Sequence, residues 1–442
     1  MKLTEIYSRL SSRLAIESLN DLQRTVVDCS RNSFNDIIIY APTGSGKTLA
    51  YVIPMLEDLS VNGIGVQAVV IAPSRELVLQ IFSVIQSLAQ GMKVSCCYGG
   101  HPTEDERLSL QVTPAILVST PGRLLDHIHR GHIDISTAKW LVLDEFDKSL
   151  ELGFEEEMRE LFGLMPDFKR RILTSATVLD KMPQYVCLND VKIVDFLDNV
   201  NSPSNRMTVF SVRSFGANKP QMLMKLLNSF ETGKSIVFLN HREEVERMNT
   251  LLLDYGFSSG MYHGGMEQLE REKAVALFRN GSLMVLVTTD LASRGLDIVD
   301  VQHIIHYDIP LTPEVYIHRN GRTARVDANG LVYVFIEDNC PDFIQIDQSL
   351  ELAGDIIHSK REAPMATLHF AAGRKEKISR GDIVGFILAN SDLTSKDIGK
   401  IDIADHYALV AVPRGALNSL IAQLQKARIK GQKVRITLAK QR

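Results

Sequence analysis

The stretch Asn35-Asp36-Ile37-Ile38-Ile39-Tyr40-Ala41-Pro42-Thr43-Gly44-Ser45-Gly46-Lys47-Thr48 decides how this chain folds. Its apolar half reads as a buried parallel strand, because a strand covered by helices on both faces carries a continuous apolar run rather than alternation. The glycines after it permit a sharp turn in which several backbone N–H groups point at one phosphate chain. Lys47 then neutralises outer phosphate charge, and the Thr48 hydroxyl is placed for magnesium. Ala41 stands where the usual phosphate-loop pattern begins with glycine. Strand, loop and helix in this order call for a parallel α/β sheet with its ligand at the carboxyl ends of the strands.

Two further strings complete the chemistry. Trp140-Leu141-Val142-Leu143 is again a continuous apolar run, and Asp144-Glu145-Phe146-Asp147 follows it. That places Asp144 as the magnesium-side carboxylate and Glu145 as orienter or base for a water. His318-Arg319-Asn320-Gly321-Arg322-Thr323-Ala324-Arg325 spaces three arginines by three, so a helix through them would raise Arg319, Arg322 and Arg325 on one side. A guanidinium aimed at a breaking phosphoanhydride stabilises the charge on the transferring group.

Outward from these strings, strand-like runs at 36–40, 67–72, 115–119, 140–143 and 171–174 predict one helix-covered parallel sheet, and runs at 208–212, 235–239, 284–288, 302–306 and 331–336 predict another. The small, polar, proline-broken stretch at 199–205 reads as the hinge between them. The chain has 442 residues, 45% of them hydrophobic and 23% charged, enough for two or three cores. No run approaches the ~20 apolar residues of a membrane span, and the start lacks the apolar region of a signal peptide, so a cytoplasmic protein is expected. Cys29, Cys96, Cys97, Cys187 and Cys340 show neither metal-ligand spacing nor a disulfide framework.

Past residue 360 the composition shifts. Residues 371–442 hold 14 Lys and Arg against 6 Asp and Glu, a balance of +8, which leaves −12 for the rest of a chain of net charge −4. Runs at 366–371, 400–404, 407–412 and 433–439 read as strands and those at 379–389 and 414–426 as helices, a small βαββαβ unit. The third strand offers only Tyr407 for base stacking, so recognition through a basic edge is expected, with Arg374, Lys375, Lys377, Arg380, Lys396, Lys400, Arg428, Lys430 and Lys433 as candidates.

Between the three strings lie Pro73-Ser74-Arg75-Glu76-Leu77, Gly99-Gly100, Thr120-Pro121-Gly122-Arg123, Ser175-Ala176-Thr177, Gln268-Leu269-Glu270-Arg271 and Thr289-Asp290-Leu291-Ala292-Ser293-Arg294-Gly295-Leu296-Asp297. In this order they resemble the motif set of the DEAD-box RNA helicases over roughly residues 1 to 355. Gly381-Asp382-Ile383-Val384-Gly385, Ile398-Gly399-Lys400-Ile401-Asp402 and Lys430-Gly431-Gln432-Lys433 resemble the RNA-binding domain of the bacterial DbpA type.

The resemblance implies an α/β fold of two tandem RecA-like parallel-sheet domains, 1–203 and 206–358, followed by an RRM-like domain at 364–442. It implies ATP and Mg2+ as cofactors and RNA as partner, ribosomal RNA or pre-ribosomal particles in particular, for a monomer with no membrane attachment. Gln23 matches the adenine-reading glutamine, whose amide both donates to and accepts from a purine edge. Thr43, Gly44, Ser45, Gly46, Lys47, Thr48, Asp144 and Glu145 match the ATP and magnesium residues, with Thr48 and Asp144 on the metal. Gly295, Asp297, Arg322 and Arg325 match second-domain residues that touch ribose and phosphates. Arg75, Gly100, Thr120, Arg123, Arg271 and Thr289 match positions along the RNA backbone, and Ser175 and Thr177 the motif linking hydrolysis to strand release.

Four departures accompany the match: Phe146 where the family has Ala, Ser74 where it has Thr, no clear aromatic upstream of Gln23 except Tyr7, and no Pro-Thr pair before Gln23, where Asn20 and Asp21 supply the helix cap instead. The activity expected is ATP-dependent local unwinding or remodelling of structured RNA, that of the large ribosomal subunit during assembly. An RNA-dependent clamp that rearranges ribonucleoprotein, a DNA helicase on the same fold and a non-enzymatic scaffold stay open as alternatives.

Overall fold

The computed structural model describes residues 3–32, 36–42, 44–100, 103–151, 153–179, 181–197, 207–213, 219–293, 298, 301–323, 330–337, 339–352 and 362–439. The chain divides into two compact units, the second of which also contains the C-terminal sheet.

The first unit holds a seven-stranded parallel sheet of β1 (Ile37–Tyr40), β2 (Ala68–Ile71), β3 (Val94–Cys97), β4 (Ile116–Ser119), β5 (Trp140–Leu143), β6 (Arg170–Ser175) and β7 (Lys192–Asp195), in the order β3-β4-β2-β5-β6-β1-β7. Helices α1 (Leu3–Leu14), α2 (Asp21–Asn32), α3 (Lys47–Asp58), α4 (Arg75–Leu88), α5 (Thr103–Leu110), α6 (Pro121–His129), α7 (Phe146–Glu151) and α8 (Glu155–Leu164) cover it. Both faces are buried, and β1 shows why its run is unbroken. Ile37 and Ile39 enter one apolar core with Tyr51, Val52 and Ile81, whereas Ile38 and Tyr40 enter the other with Leu124, Phe146 and Leu161.

The second unit repeats the plan with β8 (Met207–Arg213), β9 (Ser235–Phe238), β10 (Ser259–Tyr262), β11 (Val285–Thr288), β12 (His303–His306), β13 (Gly330–Ile336) and β14 (Gln348–Leu350), ordered β10-β11-β9-β12-β13-β8-β14, with α9 (Lys219–Ser229), α10 (Arg242–Asp254), α11 (Gln268–Arg279) and α12 (Pro313–Asn320). Its tail is an antiparallel sheet of β15 (Met365–Phe370), β16 (Ile401–Ile403), β17 (Ala408–Pro413) and β18 (Ile436–Leu438), ordered β16-β17-β15-β18, with α13 (Arg380–Ala389) and α14 (Leu417–Leu424) packed on one face. This is the expected βαββαβ order.

Every interior strand of both parallel sheets coincides with a run read from the sequence. The four strands not anticipated, β3, β7, β10 and β14, are the four sheet edges. An edge strand has a neighbour on one side only, so it needs no apolar run. Lys192-Ile193-Val194-Asp195 buries only Val194, and Val94-Ser95-Cys96-Cys97 buries alternate residues. No helix among the described residues is long and apolar enough to cross a membrane.

Candidate functional site

The sequence candidates of the first unit fall on one rim of its sheet, at the carboxyl ends of the strands, and sort into two halves. After β1, β5 and β6 come the phosphate loop, Asp144-Glu145 and Ser175-Ala176-Thr177. Lys47 opens α3 behind Gly46, whose φ is +89°, and its buried ammonium donates to the loop carbonyls of Ala41 (2.5 Å) and Pro42 (3.3 Å). Asn20 and Gln23 cap α2 reciprocally: Gln23 N donates to Asn20 Oδ1 (2.9 Å) and Asn20 N to Gln23 Oε1 (3.1 Å). Both amides then reach the phosphate loop, Asn20 Nδ2 donating to Ser45 O (2.9 Å) and Gln23 Nε2 to Gly46 O (3.3 Å). A Cβ on Gly46 would stand 2.5 Å from Gln23 Nε2, so only glycine admits this approach. Thr43 lies outside the described residues, and Tyr7 is a partly exposed residue of α1.

Asp144 is buried and its carboxylate is held on both oxygens. Thr174 Oγ1 (2.5 Å) and Glu145 N (3.1 Å) donate to Oδ1, and the fully buried Tyr51 hydroxyl donates to Oδ2 (2.8 Å). Burial, together with the Asp144 charge, drives the Tyr51 hydroxyl far above its ordinary range, so it stays a donor. Neither Tyr51 nor Thr174 stands out in the sequence, since each sits inside an apolar helix or strand. Glu145 adopts φ +48°, a left-handed conformation uncommon for a non-glycine residue and concentrated at functional sites. Asp147 Oδ2 accepts from Ala176 N and Thr177 Oγ1, both at 3.2 Å, so the expected link to the serine-threonine motif is made. Phe146 is fully buried in the sheet core and leaves that link intact.

After β2, β3 and β4 come Arg75, Gly100 and the Thr120–Arg123 turn. Ser74 caps α4 by accepting from Leu77 N (3.3 Å), and Arg75 follows it. The Arg75 guanidinium lies against Gly100, where a Cβ would meet Nη1 at 2.0 Å and where φ is +97°. Thr120 is the N-cap position of α6 with Pro121 behind it. Arg123 Nε donates to Glu106 Oε2 (2.6 Å), which also meets His127 Nε2 (2.7 Å), while Glu106 Oε1 accepts from Tyr98 N (2.8 Å). Glu106 therefore joins the Gly99-Gly100 loop to the Arg123 helix. Its place one helix away from either motif hides this role in the sequence.

In the second unit, Arg271 stands in the first turn of α11, donating to Gln268 Oε1 (2.6 Å), and Thr289 follows β11. The arginine string departs from expectation. Helix α12, capped by Thr312, ends at Asn320, so Arg322 lies in the turn beyond it and does not share a helical face with Arg319. Arg319 is wholly buried, its guanidinium donating to Asp290 Oδ1 (2.5 Å), Asp308 O (2.8 Å) and Asn240 Oδ1 (2.8 Å), thus tying together the loops after β11, β12 and β9. Such a buried arginine is a structural tie rather than a charged face. Arg322 is buried too, whereas Gly295, Asp297 and Arg325 lie outside the described residues.

In the tail, Arg374 and Lys377 share one exposed turn, and Lys430 reaches it by donating to Lys377 O (2.9 Å) while pairing with Asp382 (2.8 Å). Lys377 and Lys430 both take positive φ, +59° and +48°. Lys400 is exposed just before the edge strand β16. Tyr407 lies beside His369, their ring centroids 5.6 Å apart, on the sheet face opposite α13 and α14.

Two parallel sheets, with a phosphate loop and paired carboxylates on the first and basic side chains at their rims, define a nucleic-acid-dependent ATPase. Family models match three segments: DEAD/DEAH box helicase over residues 20–184, helicase conserved C-terminal domain over 218–327 and DbpA RNA binding domain over 367–438. The chain is 32% identical over 425 residues to the ATP-dependent RNA helicase DbpA of Escherichia coli, covering 92% of this chain and 91% of that one. It is 33% identical over 306 residues to the DEAD-box ATP-dependent RNA helicase RhpA of Helicobacter pylori, covering 68% of this chain and 62% of RhpA. Saccharomyces cerevisiae Dbp5 bound to RNA and ADP BeF3 matches with a TM-score of 0.68 at 25% identity, over 76% of this chain and 88% of Dbp5. This chain belongs to the DEAD-box ATP-dependent RNA helicases, and within them to the DbpA type. It is an RNA-dependent ATP hydrolase, and ATP and RNA are its ligands.

Proposed function

We propose that this chain couples ATP hydrolysis to local unwinding or remodelling of structured large-subunit ribosomal RNA during ribosome assembly, acting as a cytoplasmic monomer. The observation that carries the RNA target is the tail: its charge of +8 over residues 371–442, and the match of the DbpA RNA binding domain to residues 367–438, set it apart from the motor. Phosphate contacts hold any RNA and carry little base information, so target choice belongs to the tail, with Arg374, Lys377, Lys400 and Lys430 as its contacts. The working divisions are 1–203 and 206–358 for the two motor domains and 364–442 for the tail. The five free cysteines suit a reducing cytoplasm.

In the motor, Gln23 and the phosphate-loop residues Thr43, Gly44, Ser45, Gly46, Lys47 and Thr48 hold ATP. The hydroxyl of Thr48 and the carboxylate of Asp144 are hard oxygen donors of the kind magnesium takes, and Asp144 is already oriented by Tyr51 and Thr174. Bound magnesium supplies neutralisation of charge on the phosphate oxygens. Glu145 orients a water and receives its proton as the water oxygen bonds to the γ-phosphorus and the bond to the bridging oxygen breaks. Arg322 and Arg325, with Gly295 and Asp297, act when the second domain closes on the nucleotide. Arg75, Gly100, Thr120, Arg123, Arg271 and Thr289 hold the RNA backbone and favour that closed state. Through Asp147, Ser175 and Thr177 register loss of the γ-phosphate and release the strand.

The test compares ATPase stimulation of the full chain by large-subunit ribosomal RNA, by poly(A) and by DNA of matched sequence. Half-saturation at least tenfold lower for the ribosomal RNA is expected, with no response to DNA. Equal response to the ribosomal RNA and to poly(A) would remove the assigned target.

A further inference from the structure

Outside the nucleotide site, one cluster of side chains has the makings of a metal site. Cys97 ends β3, Glu106 lies on α5 and His127 on α6, and all three are buried. The Cys97 sulfur, a Glu106 carboxylate oxygen and a His127 ring nitrogen lie within 4.8 Å of one another. Cysteine spacing does not reveal the group, since its members come from three elements that meet only in the folded sheet. Burial opposes the charge on Glu106, but hydrogen bonds from His127, Tyr98 N and Arg123 hold its carboxyl below the usual range, so it is an anion. Burial and that anion push the Cys97 thiol upward, so it carries its proton at neutral pH. His127 Nε2 faces Glu106 Oε2 at 2.7 Å, and its Nδ1 faces His132 Nδ1 at 3.0 Å. A partner on the far nitrogen is what commonly fixes the ring and tautomer of a metal-binding imidazole. Arg123 and His132 border the cluster and are each partly exposed, which gives an ion a way in.

We propose that Cys97, Glu106 and His127 form a zinc site, and that zinc bound there draws Glu106 away from Arg123 and weakens the first domain's grip on RNA. Thiolate, imidazole and carboxylate are the ligands zinc takes in a tetrahedron, with the fourth position left to water, whereas magnesium prefers oxygen alone. Filling the site releases one proton: the Cys97 thiol gives it to solvent as the zinc–sulfur bond forms. The His127 ring proton moves from Nε2 to Nδ1, where His132 Nδ1 accepts the hydrogen bond with its own proton on Nε2. The Glu106 oxygen that accepts from Arg123 Nε (2.6 Å) then bonds the metal, while the other keeps Tyr98 N (2.8 Å). Arg123 loses the anion that fixes its guanidinium. The ion acts on RNA affinity rather than on hydrolysis, because the phosphate loop and Asp144-Glu145 follow other strands.

Cobalt(II) titrated into the full, nucleotide-free chain with a phosphine reductant is the probe. One equivalent should give a sulfur-to-cobalt charge-transfer band that zinc removes and magnesium does not. Cys97→Ala and His127→Gln should abolish or shift that band, and Cys96→Ala should keep it, since Cys96 packs on the opposite face of the sheet. His132→Ala should weaken cobalt binding about tenfold. No band, or one that survives Cys97→Ala, overturns the site. With zinc bound, the RNA concentration that half-saturates ATPase stimulation should rise roughly fivefold in the unaltered chain, the worth of one positioning hydrogen bond, and stay constant in Cys97→Ala. An RNA titration that zinc shifts in neither chain, or equally in both, overturns the control of RNA binding. That control rests on the reading that Arg123 touches the RNA backbone; should Arg123→Gln bind RNA as the unaltered chain does, that reading fails and the cobalt band still decides the site.

Discussion

Glu145 and Gly100 are each bound to a conformation that few other residues would accept. Glu145→Gln keeps the shape and the left-handed backbone but removes the proton acceptor, so ATP and RNA binding should persist while turnover falls by about a hundredfold or more; RNA-stimulated phosphate release at the normal rate would refute the role. Gly100→Ala places a methyl group 2.0 Å from the Arg75 guanidinium at φ +97°. The half-saturating RNA concentration should rise roughly tenfold, equivalent to about 1.4 kcal/mol, with basal ATPase kept. An unchanged RNA titration would show that the contact carries nothing. His306 offers a test by pH. Burial, aided by the Arg319 charge, lowers its imidazole from 6.5 to about 3. It is neutral when folded and takes a proton when unfolded, so the stability it lends is present above pH 6.5 and is lost as the pH falls from about 6.5 towards 3, roughly 2 kcal/mol by pH 5. Urea unfolding at pH 7 and pH 5 should show a smaller loss in His306→Gln than in the unaltered chain; equal slopes would exclude the assignment.

Among the elements, the interior strands were legible as continuous apolar runs because both of their faces are buried, and their edges were not, because an edge asks less of its side chains. Asp36 shows how an edge is nevertheless secured. Its buried carboxylate accepts from Arg171 N (2.7 Å), Arg171 Nη1 (3.2 Å) and Asn189 N (2.8 Å), joining β1 to β6 and to the segment that leads into β7. Asp36→Ala strands a buried guanidinium and two amides, and should lower the stability of the first domain by about 3 kcal/mol. A denaturation midpoint within error of the unaltered chain would remove that role. The arginine string marks a limit of periodicity. Three-residue spacing suggested one helical face, but Gly321 follows the end of α12, and Arg319 turned inward to satisfy three loops at once.

For the chain as a motor, the candidate residues of the first sheet fall in two groups, one after β1, β5 and β6 and one after β2, β3 and β4, and in the proposed function ATP and RNA act on one closure from these different positions. Linkage then requires that each ligand raise the affinity of the other by the same factor. A fluorescent non-hydrolysable ATP analogue should bind about tenfold or more tightly with saturating RNA, and RNA should respond equally to the analogue. Neutralising Arg322 and Arg325 together should abolish RNA-stimulated hydrolysis while the first domain still binds nucleotide. Affinities that ignore each other would break the proposed coupling.

The interior strands, the phosphate loop, the paired carboxylates and the basic tail could all be named from the chain alone, because each depends on neighbours a few residues away: an apolar run, a glycine turn, a charge count. Tyr51 and Thr174 on Asp144, Glu106 beneath Arg123, the inward turn of Arg319 and the meeting of Cys97 with Glu106 and His127 could not. These depend on groups that lie far apart in sequence and meet only after the sheets have formed, where burial leaves each donor, acceptor and apolar surface in need of a particular partner.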